Sequence, residues 1–119
     1  MVFKKPSNVR YTDMAIYVDQ NAYQPDHDVN KIYEYLYHLA YMLAVKQRYF
    51  YTQDDYENFA LMCASHVYRR LTNPKQFYEE GNPKSLSKIK SCLNYMKKIL
   101  YPLKVDYQQE SSSQVINPD

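Results

Sequence analysis

Two cations are followed directly by three aromatic residues in one short segment, residues 46–53 (KQRYFYTQ), here called the elbow. Lysine and arginine contact phosphates, and aromatic rings stack on unpaired bases, so this mixture is typical of surfaces that hold nucleic acid. Tyrosine and arginine are equally the residues that anchor protein–protein interfaces. The rings could also turn inward and only close a helical hairpin. The elbow therefore indicates a binding surface without deciding its partner.

Further cations follow the elbow along the chain. Two arginines end the second predicted helix, and the third predicted helix carries lysines with no acid between Asn82 and Lys104. These cations could extend a basic surface or form only a solvated helix face, and a formal net charge of +2 is too small to indicate nucleic-acid binding by itself. The predicted nucleic-acid or partner-binding residues are Lys46, Arg48, Tyr49, Tyr51, Arg69, Arg70, Lys90, Lys97 and Lys98.

Catalysis has poor support in the sequence. A chain with one glycine cannot build a glycine-rich phosphate loop. The adjacent acids Asp54 and Asp55 stand at a predicted helix start, where capping explains them more simply than acid–base chemistry. We therefore predict no enzymatic activity, no catalytic residue and no cofactor.

Four residues have side chains that could bind a zinc ion. Cys63 and His66 lie three residues apart, and His38 and Cys92 stand on the other two predicted helices. Structural zinc sites usually show two closely spaced ligand pairs, and this chain has only one. We predict buried, reduced thiols and a hydrogen-bonded histidine rather than a metal site.

Helical periodicity predicts the elements that position these residues. Residues 29–45 carry apolar side chains at spacings of three and four beside a tyrosine column, and Asp26 or Asp28 can cap them. Residues 54–71 repeat the apolar pattern, and Thr52 and Asp55 at the start of this helix resemble a capping box. A third helix should begin near residues 82–85 and end at Pro102, after a short helical turn over residues 74–80.

The single glycine and long apolar stripes predict an all-α fold: a compact bundle of three main helices with a short extra turn. We expect residues 1–25 to form an irregular arm with strand-like content at residues 14–18, residues 26–104 the helical domain, and residues 105–119 a flexible tail. No segment reaches the ~18 uninterrupted apolar residues of a membrane span. The N-terminus lacks a signal-peptide pattern, so we expect a cytoplasmic protein.

Three segments carry a resemblance to the second conserved region of bacterial sigma factors: LAYMLAVKQRYF, DDYENFALMCASHVYRRL and SCLNYMKKIL. The chain also resembles small bacteriophage proteins in being short and rich in Tyr, Lys and Asn. The resemblance implies a helical module that docks on RNA polymerase or another large partner, and it transfers no individual site residue. The expected function is a non-enzymatic accessory protein that binds nucleic acid or the transcription machinery. The alternative is a structural or interaction module whose tyrosine-rich faces bury against another subunit.

Overall fold

The computed structural model describes residues 8–73 and 89–116, with the side chains of 111–116 excepted. These residues form four helices, α1 (Tyr11–Asn21), α2 (Val29–Lys46), α3 (Gln53–Thr72) and α4 (Cys92–Ile116), and the described ranges contain no strand. The predicted all-α class is confirmed for this part of the chain. The predicted extra turn at residues 74–80 and the predicted start of the third helix at 82–85 lie outside the described residues.

Both helices of the predicted hairpin form within one residue of their expected ends. Asp28 caps α2 by accepting a hydrogen bond from the Lys31 amide at 3.1 Å. Thr52 caps α3 in a capping box with Asp55: its Oγ accepts from the Asp55 amide at 3.2 Å and donates to the Asp55 carboxylate at 2.9 Å. Capping of this kind satisfies amides that a helix start leaves without partners.

The core lies around α2, which packs against each of the other three helices. Its predicted apolar stripe is buried except at Val29, which is half exposed at the first turn. The tyrosine column of α2 packs mainly on α3, where Tyr33 contacts Tyr68 and Tyr41 contacts Tyr56. The largest fully buried side chains come from all four helices and include Tyr37, Phe59, Met14, Ile32, Leu36 and Met96.

The prediction of an irregular N-terminal arm is wrong for residues 11–21, which form α1. Residues 14–18 have the composition of a strand, but the side chains that are buried recur at helical rather than alternating spacing. Met14, Ala15 and Val18 are buried against the core, as is Ala22 just after the helix. Packing of this face on α2 and α4 stabilises a short helix that has no side-chain cap and little intrinsic preference.

The prediction of a flexible C-terminal tail is also wrong for residues 105–116, because α4 continues through Pro102. Proline removes one backbone hydrogen bond from a helix interior, which is why the sequence favoured a stop there. Tyr107 offsets that loss: its hydroxyl donates to the Asp55 carboxylate at 2.8 Å and its ring contacts Phe50 and Phe59.

The third predicted helix begins later than expected, at Cys92, since residues 89–91 are not helical. Ser91 accepts a hydrogen bond from the Asn94 amide, and Asp19 of α1 accepts one from the Cys92 amide at 2.8 Å. These two acceptors satisfy first-turn amides and define the helix start.

Candidate functional site

The elbow begins with a left-handed residue that is not glycine. Arg48 has a φ of 54°, and the amides of Arg48 and Tyr49 bond back to the carbonyls of Val45 and Ala44. This is the Schellman pattern that ends a helix, in which glycine usually occupies the left-handed position. An L-residue with a β-carbon is strained there by about 1–2 kcal/mol. Arg48 therefore projects an exposed guanidinium from a strained turn.

Phe50 turns inward and closes the hairpin. Its ring makes edge contacts with Tyr56, Phe59 and Tyr107 at centroid distances of 5.3, 5.2 and 5.2 Å. The Tyr56 hydroxyl donates to the Phe50 carbonyl at 2.8 Å and accepts from the Phe50 amide at 3.1 Å. For Phe50, therefore, the alternative prediction is correct: its ring turns inward and closes the helical hairpin.

Tyr49 is half-buried and joins the elbow to α4. The Lys104 Nζ lies 4.8 Å from the centroid of the Tyr49 ring and 5.6 Å from that of Tyr101. Burial raises the pKa of Tyr49, so its hydroxyl stays protonated. These contacts bring one cation and two aromatic rings together, although Tyr49 is far from Tyr101 and Lys104 in the sequence.

Tyr51, in contrast, points fully into solvent. Among the tyrosines with described side chains, only Tyr51 and Tyr101 are exposed, and the others are half-buried or buried. We call the combined surface of the elbow and its α4 neighbours the elbow surface, formed by Lys46, Arg48, Tyr49, Tyr51, Tyr101 and Lys104.

A second basic group lies at the opposite end of α3. An open groove of about 330 Å³ is lined by Arg70, Ile89, Lys90, Ser91, Asn94, Tyr95 and Lys98. Arg70 lines the groove but is mostly buried: it is only 7% exposed, and its guanidinium carbon lies 5.9 Å from the Tyr95 ring centroid. Lys90 and Lys98 are exposed at the rim. We call this feature the basic groove.

The predicted binding residues therefore divide into two groups rather than one surface. About 26 Å separates Gln53, at the elbow end of α3, from Arg70, given the rise of ~1.5 Å per helical residue. Lys97 is exposed on α4 and is not among the residues that line the basic groove. Arg69 is exposed on α3, and its Nε donates to the Ser65 carbonyl.

The predicted residues include Lys98 of α4 but miss Tyr101 and Lys104 of the elbow surface and Ser91, Asn94 and Tyr95 of the basic groove. Pro102 predicts the end of a helix, so the sequence pattern does not place Tyr101 and Lys104 beside the elbow. Ser91, Asn94 and Tyr95 carry no charge and gave no signal beside the lysines. The absence of acids from residues 90–104 is the one sequence feature that points to both groups.

The two cysteines are free, buried thiols, which confirms that part of the prediction. Burial raises the pKa of Cys63 to about 12 and raises that of Cys92 as well. His66 lies beside Tyr95, whose hydroxyl is 3.5 Å from Nε2. Across residues 8–73 and 89–110, no three His, Cys, Asp or Glu side chains are grouped so that they could hold a metal ion.

No helix in the described part of the chain combines the length and the apolar character that a membrane span requires. No protein-family model matches the chain, and no significant match is found among curated proteins or solved structures.

Proposed function

We propose that the protein is a non-enzymatic accessory protein of the cytoplasm that binds single-stranded nucleic acid through the elbow surface. The observation that carries this proposal is the position of Lys104 over the rings of both Tyr49 and Tyr101. Lys104 can contact a phosphate, and the aromatic rings beside it can stack on bases. Tyr51, which is fully exposed and close to Tyr49 in the sequence, adds a further ring.

The strain at Arg48 supports the same surface. A residue kept in the left-handed region at a cost of about 1–2 kcal/mol, where glycine would relieve the strain, points to a use for its side chain. The use we propose is a phosphate contact, because the guanidinium is exposed and lies next in sequence to Tyr49.

A titration with a labelled oligonucleotide tests the proposal directly. Single-stranded and double-stranded DNA of one length are added at low and at physiological salt. We expect the single strand to bind more tightly, because its bases can stack, and binding to weaken steeply as salt rises, because phosphate contacts release counterions. Undetectable binding of both forms at low salt would contradict the proposal.

Two substitutions at the elbow sharpen the test. Arg48→Gly should lower affinity and reduce the salt slope by about 1, the loss of one phosphate contact. Tyr51→Ala should cost about 1–3 kcal/mol of binding if one base stacks on that ring. Arg10→Gln is the matched control, since Arg10 is also exposed but precedes α1, and it should leave affinity unchanged. Equal losses of affinity in Arg48→Gly and Arg10→Gln would indicate a diffuse charge effect instead.

A protein partner is the second candidate. Val45 is 44% exposed in the last turn of α2, immediately before the elbow, and Tyr51 is fully exposed after it. Apolar and tyrosine surface of this kind anchors protein interfaces. The partner would be RNA polymerase, as the sequence resemblance implies, or a second copy of this chain. Self-association predicts a particle larger than 14.3 kDa in light scattering that Tyr51→Ala dissociates, and docking on polymerase predicts binding to purified core enzyme that depends only weakly on salt.

A further inference from the structure

α4 changes its contacts with the core at Pro102. Before this residue the helix has buried side chains in the core, namely Cys92, Met96 and Leu100. After it, none of the side chains at residues 103–110 is buried, and the hydrophobic residues that pack on the core there, Leu103 and Tyr107, are only half-buried. A segment with few buried contacts opens at a lower free energy than the rest of a fold. We call residues 103–110 the strap.

Pro102 interrupts the helix between its buried half and the strap. Proline has no amide hydrogen, so it donates no hydrogen bond to the Lys98 carbonyl, which is the helical acceptor four residues earlier. Sharp kinks in helices occur at proline for this reason. Pro102 is also exposed, so packing of its ring on the core does not hold the two parts of α4 together. The helix therefore has a weak point where the strap begins.

Tyr107 attaches the strap to the helical hairpin. Its hydroxyl donates to one oxygen of the Asp55 carboxylate at 2.8 Å, while the Thr52 hydroxyl donates to the other oxygen at 2.9 Å. Its ring contacts Phe50 and Phe59 at centroid distances of 5.2 and 5.9 Å. All of these contacts join one strap residue to the hairpin, so they form and break together when the strap docks or leaves.

Docking of the strap places Lys104 on the elbow surface. Lys104 belongs to the strap, and its Nζ lies 4.8 Å from the ring centroid of Tyr49 in the elbow. We propose that the strap docks and undocks independently of the rest of α4, and that Tyr107, through Asp55, is the positioning residue for Lys104. This inference rests on the proposed function and adds a regulation to it. A nucleic acid that contacts Lys104 in place binds the docked state and, by linkage, holds the strap on the hairpin.

Amide hydrogen exchange of the protein without any ligand, followed by NMR, tests the independent opening. A helical segment this short frays once it is undocked, so its amides then exchange. We expect the strap amides to exchange faster than those of residues 95–101 and to respond little to low concentrations of urea, because local opening exposes little surface. Equal exchange protection and equal urea dependence in both parts of α4 would overturn the proposal.

Two substitutions should move the exchange rate of the strap in opposite directions. Tyr107→Phe should accelerate it by about tenfold or more, because one hydrogen bond to a charged acceptor is lost. Pro102→Ala should slow it by a similar factor of about ten, because alanine donates an amide to the Lys98 carbonyl and favours the helix. Tyr17→Phe is the matched control: it removes the same hydroxyl from α1, where the ring contacts Tyr35 of α2, and should leave strap exchange unchanged. Unchanged strap exchange in Tyr107→Phe would show that its hydroxyl does not hold the strap.

The position of Lys104 has a separate NMR readout. Its side-chain protons lie against the rings of Tyr49 and Tyr101, and ring currents displace their chemical shifts. In Tyr107→Phe, and further in Tyr107→Ala, we expect these shifts to move towards those of Lys97, which is exposed on the same helix. Unchanged Lys104 shifts in both variants would show that Tyr107 does not position Lys104.

A single-stranded oligonucleotide then tests the regulation. At a free concentration about a hundredfold above its Kd, it should slow strap exchange by about a hundredfold, since a ligand that binds only the docked state opposes undocking by that factor. Bound oligonucleotide with unchanged strap exchange would overturn the regulation and leave the proposed function standing. Undetectable oligonucleotide binding, together with fast strap exchange that Tyr107→Phe accelerates, would contradict the proposed function and support the independent strap.

Discussion

Tyr23 holds Ile89 at both of its backbone polar groups, donating to the carbonyl at 2.9 Å and accepting from the amide at 2.8 Å. Tyr56 holds Phe50 in the same way at 2.8 and 3.1 Å. Each tyrosine fixes a residue that is not helical, one beside the basic groove and one in the elbow. A phenol that both donates and accepts is suited to this task, because a single side chain satisfies two backbone groups.

Tyr23→Phe removes the hydroxyl and leaves the two backbone groups of Ile89 without that partner. We expect the free energy of unfolding to fall by about 1–3 kcal/mol, the cost of leaving half-buried polar groups unsatisfied. Urea denaturation followed by circular dichroism measures it. Tyr51→Phe is the control, since Tyr51 is fully exposed and should be neutral. Equal stabilities of the two variants would mean that the hydrogen bonds to Ile89 contribute nothing.

Arg48→Gly should stabilise the protein by about 1 kcal/mol, because glycine adopts the left-handed conformation without strain. Gln47→Gly is the matched control one residue earlier, where φ is −84° and glycine only adds freedom to the unfolded chain. That variant should lose about 0.5–1 kcal/mol. Opposite shifts of the urea midpoint are the expected pair, and a loss of stability in both variants would show that Arg48 is not strained.

The hairpin was predictable because its signals are local. Helical periodicity, Asp28 and the Thr52–Asp55 box all act within one or two turns, and each of these features formed as expected. The two ends were not predictable in this way. α1 has weak local preference and depends on burying Met14 and Val18 against other helices, while α4 passes Pro102 because Tyr107 contacts α3 and the elbow.

The candidate sites follow the same division. The basic and aromatic character of the elbow was visible in the sequence, as was the lysine-rich face. The separation of these residues into two groups was not, since it depends on how α4 lies along α3. The inward turn of Phe50 and the burial of Arg70 are likewise set by contacts with residues distant in the chain.

Tyr107→Ala tests whether the end of α4 supports the fold. The change removes ring contacts with Phe50 and Phe59 and a hydrogen bond to Asp55. We expect a loss of about 2–4 kcal/mol from these combined contacts. Gln108→Ala, at the exposed neighbouring position, should be neutral in the same thermal or urea melt. If Tyr107→Ala leaves the free energy of unfolding unchanged, the residues beyond Pro102 do not support the fold and form a loose tail as the sequence predicts.

His66 should make stability depend on pH on the acid side of neutrality. Burial lowers its pKa below the ordinary 6.5, and Arg69 acts in the same direction, while Asp106 opposes them. The unfolded chain therefore takes up the proton first as pH falls, so this contribution to stability is complete above pH 6.5 and is lost below it. Comparing His66→Gln with the unchanged protein by urea denaturation across this range isolates the effect. Parallel pH curves for the two proteins would contradict it.

Cys63 and Cys92 should react with a thiol reagent only when the fold opens. Both are buried, and burial raises the pKa of Cys63 to about 12, so neither access nor thiolate is available near neutral pH. We expect labelling of the native protein at least about a thousandfold slower than in urea, the factor that a stability of ~5 kcal/mol provides. Asn58→Cys places a control thiol at an exposed position of α3, and that one thiol should react promptly. Prompt labelling of Cys63 or Cys92 in the native protein would show that the α1–α4 contact opens easily or that the core around α3 is loosely packed.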